Sequence, residues 1–358
     1  MKHCMRRHAF LLYCSLLVTL AVLAAEFVLL PRAGGLPRET LLMGFAAQPG
    51  TVIDGQTINS MGFTGDVVSP VKPANTLRVL VLGSSTLFNR HMAEHLKTAL
   101  QARTSQRVEL VDAGIRSHTS RADLYKLQLL ATYAWDYVLI YDGINDLWAN
   151  HVLPEDYRSD YAQLDPWYQR NWLLDHSLLA RYAQISLYWH INTFNKQWGE
   201  PLFRAYQFVF PKKAFVNAAQ FSSVQSFANN LDAMVQRIRE AGGKPVLMTF
   251  AFHLPANYTR QAFLDKQLDY SNPDNYDARD VFNWGPPDYV REGLTRENAA
   301  IRAYAQQQQL ALIDMDALMS GHGQWFGDIC HFNDDGVAIF ADHVARTILP
   351  FTDSTPAP

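Results

Sequence analysis

The feature that most constrains the fold is an apolar run that ends abruptly in small residues. Residues 77–82 are apolar apart from Arg78, and Gly-Ser-Ser-Thr follows at 83–86. Residues 88–100 then carry apolar side chains at helical spacing. This pattern predicts a buried strand, a tight turn and a helix. Since open α/β sheets bind ligands beyond the carboxyl ends of their strands, Ser85 is a candidate nucleophile. A serine that merely caps a helix is the alternative on this stretch alone.

The same alternation continues along the chain and predicts the fold class. Apolar, β-branched runs alternate with segments of helical periodicity, which is typical of a mainly parallel sheet covered by helices on both faces. The candidate strands are 77–83, 108–113, 137–141, 245–250 and 311–313, and the candidate helices are 88–103, 121–134, 222–241, 295–309 and 336–348.

Composition narrows the functional classes. The net charge of −3 gives no electrostatic reason to expect nucleic-acid binding. The sequence has no zinc-type Cys or His spacing, no P-loop motif and no GxGxxG motif. We expect one large domain at residues 77–350, a connector at 36–76 that packs on it, and a tail at 351–358.

The N-terminus predicts a membrane segment at residues 1–35. Lys2, Arg6 and Arg7 precede an apolar stretch at 9–30, close to the ~20 residues that span a bilayer. The basic flank favours a single-pass helix with the rest of the chain outside the cytoplasm, anchored in a bacterial inner membrane and facing the periplasm or exterior. A signal peptide cleaved near residues 21–25 is the alternative.

An aromatic-rich insertion is predicted at residues 148–215. It is long and poorly periodic, which favours a helical insertion or lid over a structureless loop. Its rings either bind substrate, with Trp148 as the candidate substrate-binding residue, or pack the insertion's own core. The insertion contains five tryptophans: Trp148, Trp167, Trp172, Trp189 and Trp198. A second irregular stretch, residues 253–289, also follows a strand end.

Four short segments at strand ends form one constellation. They are Gly-Ser-Ser-Thr at 83–86, Asp-Ala-Gly-Ile at 112–115, Asp-Gly-Ile-Asn-Asp at 142–146 and Asp-Ile-Cys-His at 328–331. Serine is a poor nucleophile without an adjacent base, for which His331 is the candidate. Asp328, three residues earlier, is placed to orient that ring. His118, His253 and His322 remain alternative bases.

These segments, in this order and spacing, resemble the SGNH, or GDSL-like, hydrolase superfamily. The resemblance implies a flavodoxin-like three-layer sandwich with a mainly parallel sheet and a Ser85-His331-Asp328 triad. It also implies an oxyanion hole formed by the Ser85 and Gly114 N–H groups and the Asn145 side chain. Residues 59–63 resemble a segment of membrane-anchored bacterial members. Two positions depart from the family pattern: Ser84 stands where the first block most often has Asp, and Gly114 lies in a loosely matching second block.

The resemblance predicts a serine esterase that removes acyl groups, acetyl among them, from an envelope or secreted glycan. It implies no metal or organic cofactor, because an acyl-enzyme route needs none. The partners expected are an acylated substrate and the membrane, with envelope polysaccharide machinery as a further candidate. Three alternatives stay open: an acyltransferase that uses the same triad, a lipid esterase, and a non-catalytic subunit of a polysaccharide export machine.

The predicted membrane segment at residues 1–35 can be tested directly. Protease added outside spheroplasts should digest the C-terminal domain, and the full-length chain should stay with membranes after a carbonate wash. A soluble periplasmic protein that begins near Ala25 or Glu26 would show instead that the leader is cleaved.

Overall fold

The computed structural model describes residues 2–29, 46–47, 49–53, 55–88, 90–161, 163–164, 177, 179–180, 221–270 and 280–349. The chain forms two compact units: Met1–Gly44 with Asp165–Lys212, and Phe45–Leu164 with Lys213–Pro358.

In the first unit, helix α1 spans Lys2–Ala24, and a π-helical turn follows at Ala25–Leu29. The Glu26 carboxylate accepts hydrogen bonds from the Ser177 hydroxyl at 3.0 Å and the Leu179 N–H at 2.9 Å. No helix within the described part of the chain is both long and apolar enough to cross a lipid bilayer. The membrane anchor at residues 1–35 stays a prediction.

The second unit is built on a six-stranded sheet of order β3-β5-β4-β6-β7-β8. All neighbouring strands are parallel except β3, which runs antiparallel to β5. The mainly parallel sheet predicted from the sequence is confirmed. Strands β1 and β2 form a separate antiparallel pair. The strands are β1 Val52–Ile53, β2 Gln56–Thr57, β3 Thr64–Gly65, β4 Thr76–Gly83, β5 Arg107–Asp112, β6 Tyr137–Tyr141, β7 Lys244–Met248 and β8 Ala311–Ile313.

Helices cover both faces of this sheet. Helices α3 and α9 pack together on one face, and α4 packs on α5. All eight residues of the central strand β4 are buried, because alternate side chains point to opposite faces and both faces are covered. The helices are α2 Ser85–Phe88, α3 Met92–Gln101, α4 Ser120–Leu130, α5 Ser222–Glu240, α6 Arg260–Leu264, α7 Pro287–Gln308, α8 Met315–Met319 and α9 Asp334–Ile348.

Two helices differ from their predicted bounds. The helix predicted at 88–103 begins only at Met92, as α3, and the short helix α2 at Ser85–Phe88 lies where the sequence predicts a turn. Arg90 and His91, between the two helices, adopt left-handed backbone conformations with φ of 49° and 57°. Helix α7 begins at Pro287, well before the predicted residue 295. A proline in the first turn of a helix costs no hydrogen bond, so it does not delay this start.

The connector contributes directly to the sheet. The Asn59 side-chain oxygen accepts hydrogen bonds from the Met61 N–H at 2.8 Å and the Phe63 N–H at 3.2 Å. This turn leads into β3, which pairs with the carboxyl end of β5 through Thr64 and Asp112. The connector residues 58–65 are therefore an ordered edge of the sheet.

Of the predicted insertion at 148–215, the described residues are its start, 148–161 and 163–164, together with 177 and 179–180. The start of the insertion forms 3₁₀ turns at Ile144–Asn150 and Pro154–Asp156. The buried Tyr161 donates its hydroxyl to the Ser223 carbonyl at 3.3 Å. The remaining tryptophans of that prediction, Trp167, Trp172, Trp189 and Trp198, lie outside the described residues, as does the tail at 351–358.

A buried ion pair joins β4 to β5 near their amino ends. Arg78 is fully buried, and its Nε and Nη2 donate to Glu109 Oε2 at 2.9 and 2.7 Å. Its Nη1 donates to the carbonyls of Ser69 and Tyr133 at 2.9 and 2.6 Å. The guanidinium thus ties the strand pair to two loops.

We expect Arg78→Met to lower the free energy of unfolding by about 3–5 kcal/mol, because it leaves the Glu109 carboxylate buried without its partner. Arg107→Met is the matched control. Arg107 approaches the same carboxylate at 3.8 Å but is exposed, so its removal should cost less than about 0.5 kcal/mol. Denaturant unfolding measures both, and equal losses would contradict this account.

Candidate active site

The carboxyl ends of neighbouring strands β4, β5 and β6 form one edge of the sheet. Gly83 lies beside Tyr141 in the β4–β6 register. A Cβ at Gly83 would meet the Tyr141 carbonyl oxygen and the Leu87 side chain, each at 2.5 Å. Only glycine therefore allows the chain to turn here. Ser85 follows at the first residue of α2 and is largely buried, with 8% of its surface exposed.

The structure brings Ser85 and His331 together, although 246 residues separate them in sequence. The Ser85 Oγ lies 2.9 Å from His331 Nε2. His331 is held in a tight loop that an antiparallel bridge between Phe326 and Phe332 closes. The Gly327 N–H donates to the His331 carbonyl at 2.8 Å within this loop.

Asp328 orients the imidazole from the other side. Its Oδ2 lies 2.7 Å from His331 Nδ1, and its Oδ1 accepts the N–H groups of Cys330 and His331, both at 2.8 Å. A carboxylate only accepts hydrogen bonds, so in the neutral ring Nδ1 carries the proton and Nε2 is left to accept one from Ser85. This is the tautomer that a general base needs.

The charge environment favours the protonated imidazolium. Burial lowers the pKa of His331, but electrostatic interactions and hydrogen bonds with Asp328 and Cys330 outweigh burial and raise it well above the ordinary histidine value. The Cys330 Sγ lies 3.7 Å from Nδ1. The arrangement therefore stabilises the charge that the ring acquires when it takes a proton from serine.

Asn145 lies at the end of β6 with its side-chain amide fixed on both sides. Its Nδ2 donates to the His118 carbonyl at 2.8 Å, and its Oδ1 accepts from the Trp284 indole N–H at 2.8 Å. A carbonyl oxygen and an indole N–H are a pure acceptor and a pure donor, so these bonds define which amide atom is which. The second Nδ2–H is left for another acceptor.

Gly114 lies close to the serine loop, but its N–H is used elsewhere. A Cβ at Gly114 would meet the Ser84 carbonyl oxygen at 2.9 Å. Its N–H, which the sequence predicts as an oxyanion donor, donates to Asp112 Oδ1 at 2.8 Å. The physical reason is local: an Asp side chain readily accepts from the N–H two residues on, in an Asx turn. In this structure the Gly114 N–H thus bonds within its own loop, and its role as an oxyanion donor stays a prediction.

A buried lysine joins two of the strand ends. Lys126 on α4 donates its ammonium to the carbonyls of Gly83 at 3.3 Å and Ala113 at 2.6 Å. It also forms a close ion pair with Asp123. Burial raises the pKa of Asp112 to about 7 and raises the pKa of Asp142 well above its usual range. Lys126 thus offsets a group of buried carboxyls beneath the site.

Trp148, the candidate substrate-binding residue, packs against the irregular stretch 253–289. Its indole N–H donates to the Asn283 carbonyl at 2.8 Å. Its ring stacks on Trp284 with centroids 6.1 Å apart and planes 10° apart. Half-buried against the core, Trp148 has a packing role here, and its contact with substrate stays a prediction.

Sequence reasoning missed Trp284 and Lys126. Trp284 lies in the irregular stretch, where no periodicity marks it. Lys126 had a signal in the sequence: it is a charge among the apolar residues Leu124, Tyr125 and Leu127 of a predicted helix. The structure also pairs His253 with Asp269 at 2.9 Å, a carboxylate 16 residues away that spacing did not suggest. Ser85 nevertheless contacts His331, not His253.

One group of residues could hold a metal. The ligand atoms of Asp328, Cys330 and His331 lie within 4.8 Å of one another, and all three residues are buried. The Asp328 oxygens and His331 Nδ1 already bind each other and the loop backbone. Among the described residues, the role of this group is therefore to orient the His331 imidazole.

Comparison with known proteins finds a protein-family model that matches this chain. Residues 81–339 match the sequence model described as GDSL-like Lipase/Acylhydrolase family. No curated protein matches the chain.

Solved structures provide more distant similarities. A GDSL-like lipase from Bacteroides thetaiotaomicron VPI-5482 is 12% identical with a TM-score of 0.41, over 76% of this chain and 87% of that one. A lipase/acylhydrolase from Enterococcus faecalis is 14% identical with a TM-score of 0.41, over 76% and 95%. A catalytic mutant of an acetylxylan esterase from Geobacillus stearothermophilus is 14% identical with a TM-score of 0.42, over 76% and 94%.

The raised pKa of His331 predicts the pH profile of ester cleavage. The base must be neutral, so kcat/KM should rise with pH through the pKa of His331, with a midpoint above the ordinary ~6.5. Asp328→Asn removes the charge that raises this pKa, so the midpoint should move to lower pH while the rate falls on the order of 10³–10⁴-fold. His322→Gln is the control and should leave the midpoint in place. An unmoved midpoint in Asp328→Asn would contradict the assignment.

Proposed function

Because the chain belongs to the GDSL-like lipase/acylhydrolase family, whose members cleave ester bonds, we propose that it is a serine esterase that uses Ser85, His331 and Asp328. The observation that carries the proposal is the continuous chain of contacts from Ser85 Oγ to His331 Nε2 at 2.9 Å and from His331 Nδ1 to Asp328 at 2.7 Å.

Acylation begins when Ser85 Oγ attacks the ester carbonyl carbon. His331 Nε2 takes the serine proton, and Asp328 stabilises the imidazolium that forms. The carbonyl oxygen becomes an oxyanion beside the Ser85 N–H and the second Nδ2–H of Asn145. Collapse of the tetrahedral intermediate breaks the bond to the alcohol, which leaves with the proton from His331.

Deacylation repeats these steps with water. His331 takes a proton from the attacking water, and the second tetrahedral intermediate releases the acid and restores the serine. A sugar hydroxyl in place of water would make the reaction an acyl transfer. The triad serves either acceptor, so the acceptor that reaches the acyl-enzyme decides the outcome.

We propose an acylated glycan, with acetyl as the acyl group, as the substrate outside the cytoplasm. The location is supported by Lys2, Arg6 and Arg7 ahead of the apolar stretch at 9–30. The glycan is supported by the aromatic-rich sequence that begins with Trp148 directly after the third site segment, because aromatic rings stack on sugars. A membrane-anchored form, rather than a cleaved one, belongs to the same proposal.

Ser85→Ala should lower turnover of a short aryl acetate on the order of 10⁴-fold or more. A serine-directed phosphonate should label Ser85 in the unaltered protein. Ser84→Ala is the matched control in the same turn and should keep the label. His331→Ala should be nearly as damaging as Ser85→Ala, and the double variant should lose little more, because the two groups act in one step. Label at another residue, or additive losses, would contradict the triad.

The substrate class has a separate measurement. The purified domain is compared on acetylated glycan, aryl acetate and a long-chain lipid ester, with release of acid and of acylated acceptor both followed. Acetate release from the glycan supports the proposal. Turnover of the aryl acetate without turnover of the glycan would contradict the glycan and leave the esterase intact.

A further inference from the structure

We propose that Trp284 is the positioning residue for the Asn145 amide, and that its indole N–H keeps Nδ2 directed at the oxyanion. The inference rests on the proposed function, since it gives Asn145 its role as an oxyanion donor. Trp284 touches no reacting atom in this account; it acts through Asn145.

The contact that carries the inference is specific. The Trp284 Nε1 donates to Asn145 Oδ1 at 2.8 Å, and both residues are buried, with 1% and 3% of their surfaces exposed. An indole N–H only donates, so the Asn145 amide is compatible with it in one orientation, with Oδ1 facing the indole. The opposite orientation would face N–H to N–H at Trp284 and carbonyl to carbonyl at His118. Trp284 and His118 therefore define the amide from opposite ends.

The indole itself is held by independent contacts. Its ring stacks on Trp148, and the His151 Nε2 lies 2.9 Å from the Trp284 carbonyl. Trp148 is in turn tied by its own N–H to the Asn283 carbonyl next to Trp284. Position 284 thus presents a fixed donor to the oxyanion side of the site, and the donor is in place before substrate arrives.

Loss of the indole N–H should weaken catalysis without weakening substrate binding. The Asn145 amide then rotates more freely, and its buried oxygen lacks a partner. Loss of a whole oxyanion donor costs ~10²–10³ in turnover, so a misoriented donor should cost less, about 10-fold. The loss should fall on kcat with KM unchanged, because the oxyanion exists only in the transition state.

The test compares Trp284→Phe with Trp135→Phe. Trp135 is also buried and donates its indole N–H to a backbone carbonyl, that of Leu130 at 2.6 Å, far from Asn145 in the fold. Replacement of Trp284 by benzothienylalanine removes only the N–H and keeps the ring shape, so the test does not depend on how well Phe packs. We expect kcat to fall about 10-fold for both changes at 284 and to stay constant for Trp135→Phe.

Asn145→Ala separates this inference from the function on which it rests. In that background, the change at 284 should cause no further loss of kcat. In each variant, affinity for an aryl boronic acid that mimics the tetrahedral adduct should fall to the same extent as kcat falls in that variant. A loss that appears in KM, or an equal loss in the Asn145→Ala background, overturns the positioning role. An Asn145→Ala protein with unaltered kcat overturns the oxyanion role of Asn145 itself, while Ser85→Ala still reports on the triad.

Discussion

One buried ammonium group holds together the edge of the sheet on which the site is built. Lys126 donates to the carbonyls of Gly83 and Ala113, the residues at which β4 and β5 give way to loops. A charge in this position needs compensation, and Asp123 provides it. The raised pKa values of Asp112 and Asp142 limit how many neighbouring carboxyls are ionised at once. Lys126 therefore links the strand ends beside the serine turn to the balance of buried charge beneath them.

In the Asp328 loop, too, one charged group makes several of the contacts that position a catalytic side chain, here the base His331. A single carboxylate closes the loop through two backbone N–H groups and orients His331 through its remaining oxygen. The same carboxylate bonds the loop backbone and the imidazole, and the loop places the imidazole beside Ser85. Structure and reactivity share the same group, so the geometry of the base is fixed before substrate binds.

Much of this arrangement is predictable from the sequence because it depends on strong local patterns. The apolar run at 77–82 that stops at Gly83 predicts a buried strand, and His331 is three residues from an acid in a segment beyond the last predicted strand. Other features depend on contacts that no spacing reveals. Trp284 meets Asn145 across 139 residues, and the competition of Asp112 for the Gly114 N–H is a matter of side-chain rotation. The break between α2 and α3 lies at Arg90 and His91, which carry no glycine or proline signal.

The separation of Ser85 from His331 by 246 residues has a consequence for biosynthesis. Bringing the two residues together closes a long loop, and the contacts of the intervening core must form to offset the entropic cost. A chain still emerging from the ribosome carries its serine long before its base. Such a chain holds no general base to activate the hydroxyl, so ester cleavage starts only when the segment that carries His331 is made and has folded beside Ser85.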